Sequence, residues 1–174
     1  MKYLVVSDNH GDQEILKTLL DHYAKTVTAF IHCGDSELAY QDPLVARMTA
    51  IVQGNMDFDR DFPITAQLQF GTDHIFVTHG HHYGVNLGLG HLLEVAKEQG
   101  ANLAFYGHTH QLACEYTQGV FMLNPGSISQ PRGQYANLGG TYALVDSQAK
   151  KIVVDYYNRQ LEKVPALHFE FNRS

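Results

Sequence analysis

Cysteine is nearly missing from this chain of 174 residues: Cys33 and Cys114 are its only two. So few, so far apart, make no disulfide framework, and both read as small core residues of a reducing compartment, Cys33 lying beside a turn without ligating anything. No apolar run approaches the roughly 18 residues that a membrane-spanning helix needs. The N terminus enters a strand without the charged-then-apolar pattern of a secretion signal, so a cytoplasmic location with no membrane attachment is expected. Basic residues are scarce: Lys and Arg total 12 against 18 Asp and Glu, the formal charge is −6, and no basic cluster exceeds Lys150-Lys151. That charge repels a polyanion at long range and makes nucleic acid a poor partner. Internal repeats, low-complexity tracts and Pro/Ser-rich linkers are absent. With 44% hydrophobic and 17% charged residues, the composition is ordinary for a globular protein, and residues 1–174 are expected to form a single domain with a real core.

What the chain does have is a recurring layout, an apolar run followed by a small turn rich in oxygen and nitrogen donors. Leu103 to Tyr106 leads into Gly107-His108-Thr109-His110, where residues i and i+2 of an extended segment point to one side. The same layout recurs in Tyr3-Leu4-Val5-Val6-Ser7-Asp8-Asn9-His10, Phe30-Ile31-His32-Cys33-Gly34-Asp35, Ile51-Val52-Gln53-Gly54-Asn55 and Ile75-Phe76-Val77-Thr78-His79. Continuous apolar runs are the pattern of buried parallel strands, and functional groups gather at the carboxyl ends of such strands. Asp8, His10, Asp35, Asn55, His79, His108 and His110 should therefore converge. Singly, Asp8, Asp35 or Asn55 could merely cap a turn; the five segments together argue for a site. The set exceeds what one ion uses and suits two divalent ions, with Asp35 as the natural bridge. Paired ions clamp the attacking and leaving oxygens of an in-line displacement at phosphorus and acidify a bridging water, which is phosphoester hydrolysis.

Along the chain, a strand over residues 2–7 precedes a helix over 13–24 whose apolar stripe is Ile15, Leu16, Leu19, Leu20 and Tyr23. Strands over 29–33 and 50–53 flank a short helix over 43–48, the opening of a parallel sheet. Residues 64–70 and 74–78 form a hairpin about Gly71-Thr72-Asp73, and a helix over 87–99 ends at Gly100. Further strands are expected over 112–116, 120–123, 141–145, 152–157 and 167–171. His22, His74, His91 and His168 lie away from the strand-end turns and belong to the surface or core, and Tyr135 and Tyr142 to packing. Arg132, in the loop framed by Pro125-Gly126-Ser127 and Pro131-Arg132-Gly133, either grips a substrate phosphate with its fork of donors or is a solvated loop arginine.

Asp8-x-His10, Gly34-Asp35, Gly54-Asn55, His79 and Gly107-His108-Thr109-His110 together resemble the calcineurin-like metallophosphoesterase superfamily over almost the whole chain. Gly54-Asn55-Met56-Asp57, Thr78-His79-Gly80-His81 and Asn124-Pro125-Gly126-Ser127 are most similar to its small phosphodiesterases of the YfcE type. The resemblance implies an α/β/β/α sandwich of two mixed sheets with helices outside, and a diesterase using two divalent ions, manganese first, with iron, zinc or nickel as alternatives. Asp8, His10, Asp35 and His110 would bind the first ion, and Asp35, Asn55, His79 and His108 the second. Asn55, which would also touch a phosphate oxygen, Asp57 and His81 are the catalytic candidates. Two departures stand out. Many members carry histidine where this chain has Met56, and a thioether is no acid, so His81 or His82 would have to act, or leaving groups must need little help. The Asp-Arg that follows the bridging aspartate elsewhere is here Asp35-Ser36-Glu37-Leu38. The expected substrate is a small phosphodiester, and self-association is left open. The alternatives are a phosphomonoesterase, disfavoured by the shortage of basic residues, and a non-catalytic scaffold like the retromer subunit of this fold, favoured by Met56.

Overall fold

The computed structural model describes residues 1–173. Strand β1 (Lys2–Val6) is apolar and buried from Tyr3 onward, and the chain then passes through a ligand-bearing turn into helix α1 (Gln13–Tyr23). That helix starts where it does because the Asp12 side chain accepts the Ile15 amide, and its buried stripe is Ile15, Leu16, Leu19, Leu20 and Tyr23. β2 (Ala29–His32) and β3 (Ala50–Ile51) follow in parallel with β1. β4 (Thr65–Phe70) and β5 (Asp73–Thr78) make the expected hairpin, with Gly71 at φ 59° in its two-residue turn. Helix α2 (Gly90–Glu98), β6 (Leu103–Phe105), β7 (Ala113–Thr117), β8 (Val120–Asn124), β9 (Thr141–Ser147), β10 (Lys151–Asn158) and β11 (Lys163–Asn172) complete the order.

The strands form two mixed sheets, ordered β11-β10-β9-β1-β2-β3 and β4-β5-β6-β8-β7. Their facing sides share one core containing Val5, Ile31, Val77, Phe105, Phe121, Val154 and Tyr156. The outer face of the first sheet packs Leu4, Val6 and Phe30 against the α1 stripe, and the outer face of the second packs Phe76, Ala104 and Met122 against Leu92, Leu93 and Ala96 of α2. The result is the α/β/β/α sandwich.

Several boundaries differ from expectation. α2 begins at Gly90 rather than Leu87, which is 96% exposed and has no apolar surface to meet. The helix expected over residues 43–48 is a single 3₁₀ turn, Val45–Arg47. β3 spans only Ala50–Ile51, although the Val52 amide still donates to His32 O at 3.2 Å. β11 runs well beyond 167–171 and includes Pro165, tolerated because β11 is an edge strand and loses no obligatory ladder bond. Asp73 opens β5 as a buried residue, accepting the Tyr3 hydroxyl at 2.6 Å and the Arg173 guanidinium at 2.6 Å, a clamp of the last residues onto the first strand. None of the helices among the described residues is long and apolar enough to cross a membrane.

Candidate metal centre

Because β1, β2 and β3 run parallel in one sheet and β5, β6 and β8 in the other, six strands deliver their carboxyl ends to one edge of the sandwich. The turns there are stitched to one another across both sheets. The Asp8 amide donates to Gly34 O at 3.0 Å, the Gly107 amide to His79 O at 3.0 Å, and Ser127 Oγ to Asp8 O at 2.7 Å. Asp8, His10, Asp35, Glu37, His108 and His110 all take left-handed backbone conformations, with φ from 45° to 70°. Such conformations are costly for residues with a Cβ and persist where the surroundings over-determine them. Gly54 and Gly107 let the turns close: a Cβ on Gly54 would overlap Asp35, and one on Gly107 would overlap Ser7 Oγ.

The structure draws Asp8, His10, Asp35 and His110 into one group whose ligand atoms all lie within 4.8 Å of one another. His10 Nε2 lies 3.2 Å from His110 Nε2, and His110 Nε2 lies 3.2 Å from Asp8 Oδ1. Beside this group His79 Nε2 faces Asn55 Oδ1 at 3.1 Å and Asp35 Oδ2 at 3.3 Å. The His108 ring is next to it, its centroid 5.1 Å from that of His79.

Three of the imidazoles are locked by their far nitrogen. Nδ1–H of His10 donates to Glu37 Oε1 at 2.8 Å, that of His79 to Cys33 O at 2.7 Å, and that of His110 to Gln130 O at 2.7 Å. This is how metal-ligating histidines are oriented, with the Nε2 lone pair left for the ion. Fully buried Asp8 Oδ1 makes no hydrogen bond among the described residues. Lone pairs thus confront lone pairs, an arrangement that a divalent cation satisfies. Protonation responds in the same sense. Burial opposes the charged form of His79 and His110, but the facing Asp35 and Asp8 carboxylates outweigh it and raise both. For Asp35, burial is outweighed by the His79 hydrogen bond and charge, by the Met56 amide at 2.7 Å and by His10, so its carboxyl sits below the ordinary range. His108 is lowered, by burial first and then by the charge of His79.

Asp57 lies under the centre. Its two oxygens accept the amides of Asp35 at 2.9 Å, Gly54 at 2.7 Å and Glu37 at 2.7 Å, and the Ser36 hydroxyl at 3.0 Å. A carboxylate so engaged holds the Asp35 turn against the Gly54-Asn55 turn and has nothing left for a substrate or for orienting a side chain at 56. Met56 is 41% exposed. Three supports lie outside the donor pattern of the sequence. Glu37, where the family resemblance is broken, orients His10. Buried His32 donates from Nε2 to Asn9 Oδ1 at 2.8 Å and accepts the Gly34 amide at Nδ1; burial first of all pushes it to about 4, so it stays neutral. Ser127, the third, joins the Asp8 turn to the Gln130 loop.

His81 stands beside the centre, its ring centroid 5.3 Å from His79 and 6.1 Å from His108, with a buried Nδ1 that has no partner among the described residues. Burial, then the charges of His82, His79 and His108, push it down to about 4. At neutral pH it is an N–H donor and not an imidazolium. A cavity of about 300 Å³ opens over His10, Asp35, Asn55, His108 and His110, and its walls are Glu37, Met56, Gln130 and Arg132.

Comparison with known proteins agrees with this architecture. A model of the calcineurin-like phosphoesterase superfamily domain matches residues 1–150. The protein named "Probable metallophosphoesterase YsnB" of Bacillus subtilis is 36% identical over 159 residues, covering 91% of this chain and 92% of that one. A crystal structure from Streptococcus pneumoniae described as a predicted phosphoesterase superposes with a TM-score of 0.94 at 37% identity, covering 99% of this chain and 97% of that one. Vacuolar protein sorting 29 of Cryptosporidium parvum shares the fold, with a TM-score of 0.77 at 22% identity, covering 99% of this chain and 98% of that one. Fold, strand-edge site and homology converge, and the chain belongs to the calcineurin-like phosphoesterase superfamily.

Proposed function

We propose that this chain is a metal-dependent phosphodiesterase of the YfcE type, a single catalytic domain that takes two divalent ions, manganese first among them, and hydrolyses a small phosphodiester. The observation that carries this reading is the convergence of Nε2 of His10, His79 and His110 on the oxygens of Asp8, Asp35 and Asn55, each ring turned by its own Nδ1 partner. Divalent ions held there supply Lewis-acid polarisation of a phosphoryl oxygen and a nucleophile at neutral pH. Asp8, His10, Asp35 and His110 would hold one, and Asp35, Asn55, His79 and His108 the other. Asn55 turns its Oδ1 to His79, which leaves its amide N–H for a phosphate oxygen. His81, neutral and without a hydrogen bond at Nδ1 among the described residues, stands beside the ions' site and would donate to the same group only as a weak acid. With Met56 in the acid's place, substrates whose leaving group departs without a proton are favoured. The phosphodiesterase YfcE of Escherichia coli, 26% identical over 88% of this chain and 91% of its own, supports the diester class.

The test is elemental analysis joined to a screen of aryl diesters and monoesters with manganese, iron, zinc and nickel. Two ions per chain and faster turnover of diesters are expected; faster turnover of monoesters overturns the substrate class. A scaffold reading is favoured by Met56 alone. A protein that holds its ions and turns over no ester with any of these metals would establish it.

A further inference from the structure

We infer that Arg132 is the substrate-binding residue that grips a non-bridging phosphoryl oxygen over the first ligand set. The inference rests on the phosphoesterase reading and adds the residue that recognises the anion. Arg132 is the sole Lys or Arg lining the cavity above the centre. Arg132 is exposed and its guanidinium has no hydrogen bond or ion pair among the described residues; Arg60 shares that state but does not line the cavity, and Arg47, Arg159 and Arg173 each pair with a carboxylate.

The Arg132 amide donates to His110 O at 3.0 Å, and the His110 ring donates to Gln130 O at 2.7 Å, so the loop segment that carries the guanidinium is bonded twice to His110. Ser127 Oγ accepts the Gln130 amide at 2.8 Å and itself donates to Asp8 O. Arg159 ties the same loop down through Ile128 O at 2.8 Å and Ser129 Oγ at 3.1 Å. The loop is therefore bolted to the first ligand set at three points, and its one free cation is left at the cavity wall. A planar fork of donors matches two oxygens of a tetrahedral phosphate.

The experiment titrates inorganic phosphate into the manganese-loaded parent, Arg132→Ala and Arg132→Lys by calorimetry, with metal content, thermal midpoint and steady-state kinetics on bis(p-nitrophenyl) phosphate measured alongside. Arg132→Ala should weaken phosphate and raise KM by about 10- to 100-fold, the range of a charge-assisted hydrogen bond. kcat should fall less, and metal content and midpoint should match the parent. Arg132→Lys should recover part of the loss, since a point charge lacks the fork. If Arg132→Ala binds phosphate as the parent does, or loses its metal, Arg132 is a solvated or purely structural residue and the inference fails. If the parent hydrolyses no diester yet phosphate binding still depends on Arg132, the proposed function fails and the inference stands.

Discussion

Between the sheets Val5, Ile31, Val77, Phe105, Phe121 and Tyr156 pack side chain against side chain, while a few residues further along the same strands Asp8, Asp35, His79 and His110 are buried just as deeply as polar groups. The two regions are continuous in sequence and opposite in what holds them. Interior residues exclude water through volume, and any apolar group of similar size would serve. At the strand edge each group depends on one partner at one distance: Asp57 on three amides, Ser127 on the Asp8 carbonyl, Glu37 on His10. Left-handed backbone at donor after donor is tolerated only because the sandwich behind it is rigid. Stability is concentrated in the first region and function in the second, and perturbations should separate them.

The largest effect is expected for Asp35→Asn, which removes the charge of the carboxylate assigned to both ions. Activity should disappear and both ions should be depleted in elemental analysis, with the circular dichroism spectrum of the folded protein retained. Two tightly held ions in this variant would refute the bridging assignment. Phe121→Ala should do the converse: a core Phe truncation costs about 3–5 kcal/mol of stability, lowering the urea midpoint, while the folded fraction keeps its ions and its turnover number. Loss of ions from that folded fraction would mean that the two regions are not separable.

Glu37→Gln comes next. Without its carboxylate, His10 loses an anionic orienting partner, and metal affinity should fall about 10- to 100-fold, read by competition with a chelator, with the unfolding midpoint of the metal-free protein nearly unchanged. The smallest effect concerns Asp12, which caps α1 and meets Arg159 at 2.7 Å. Burial raises its pKa, but the Arg159 hydrogen bond and the Ile15 amide outweigh this and hold it below the usual range. A carboxyl depressed on folding stabilises the protein above its unfolded pKa, and that stabilisation is lost as pH falls through the folded value. Asp12→Ala should therefore cost about 1 kcal/mol at pH 7, and the gap to the parent should narrow below about pH 4. Urea curves at pH 7 and pH 3 measure it; an equal gap at both would show that the Asp12 charge contributes nothing.

Some of this was readable along the chain and some was not, for identifiable reasons. The strand runs at 3–6, 29–32, 75–78 and 103–105 announce themselves because a strand buried on both faces must be apolar throughout, and the donor-rich turns that end them stand out by contrast. α1 announces itself by its stripe and its Asp12 cap. The start of α2 does not, since Leu87 continues the apolar pattern but projects into solvent. Full-length β11 was hidden by Pro165, which speaks against a strand unless the strand is known to lie at an edge, and edge position is a property of the sheet.

Which segments are buried strands, which residue types end them, and hence the chemistry available at the site can be read residue by residue, because burial and donor type are local properties. Which donors meet is set by the packing of the two sheets. That packing turned Asp57 inward as a brace, gave Glu37 to His10, left Asp8 Oδ1 facing His110 Nε2 with no hydrogen bond among the described residues, and set Arg132 beside His110. Those outcomes depend on distances between turns as far apart as residues 8 and 127, and such distances follow from two sheets twisting and packing together, which no local pattern encodes.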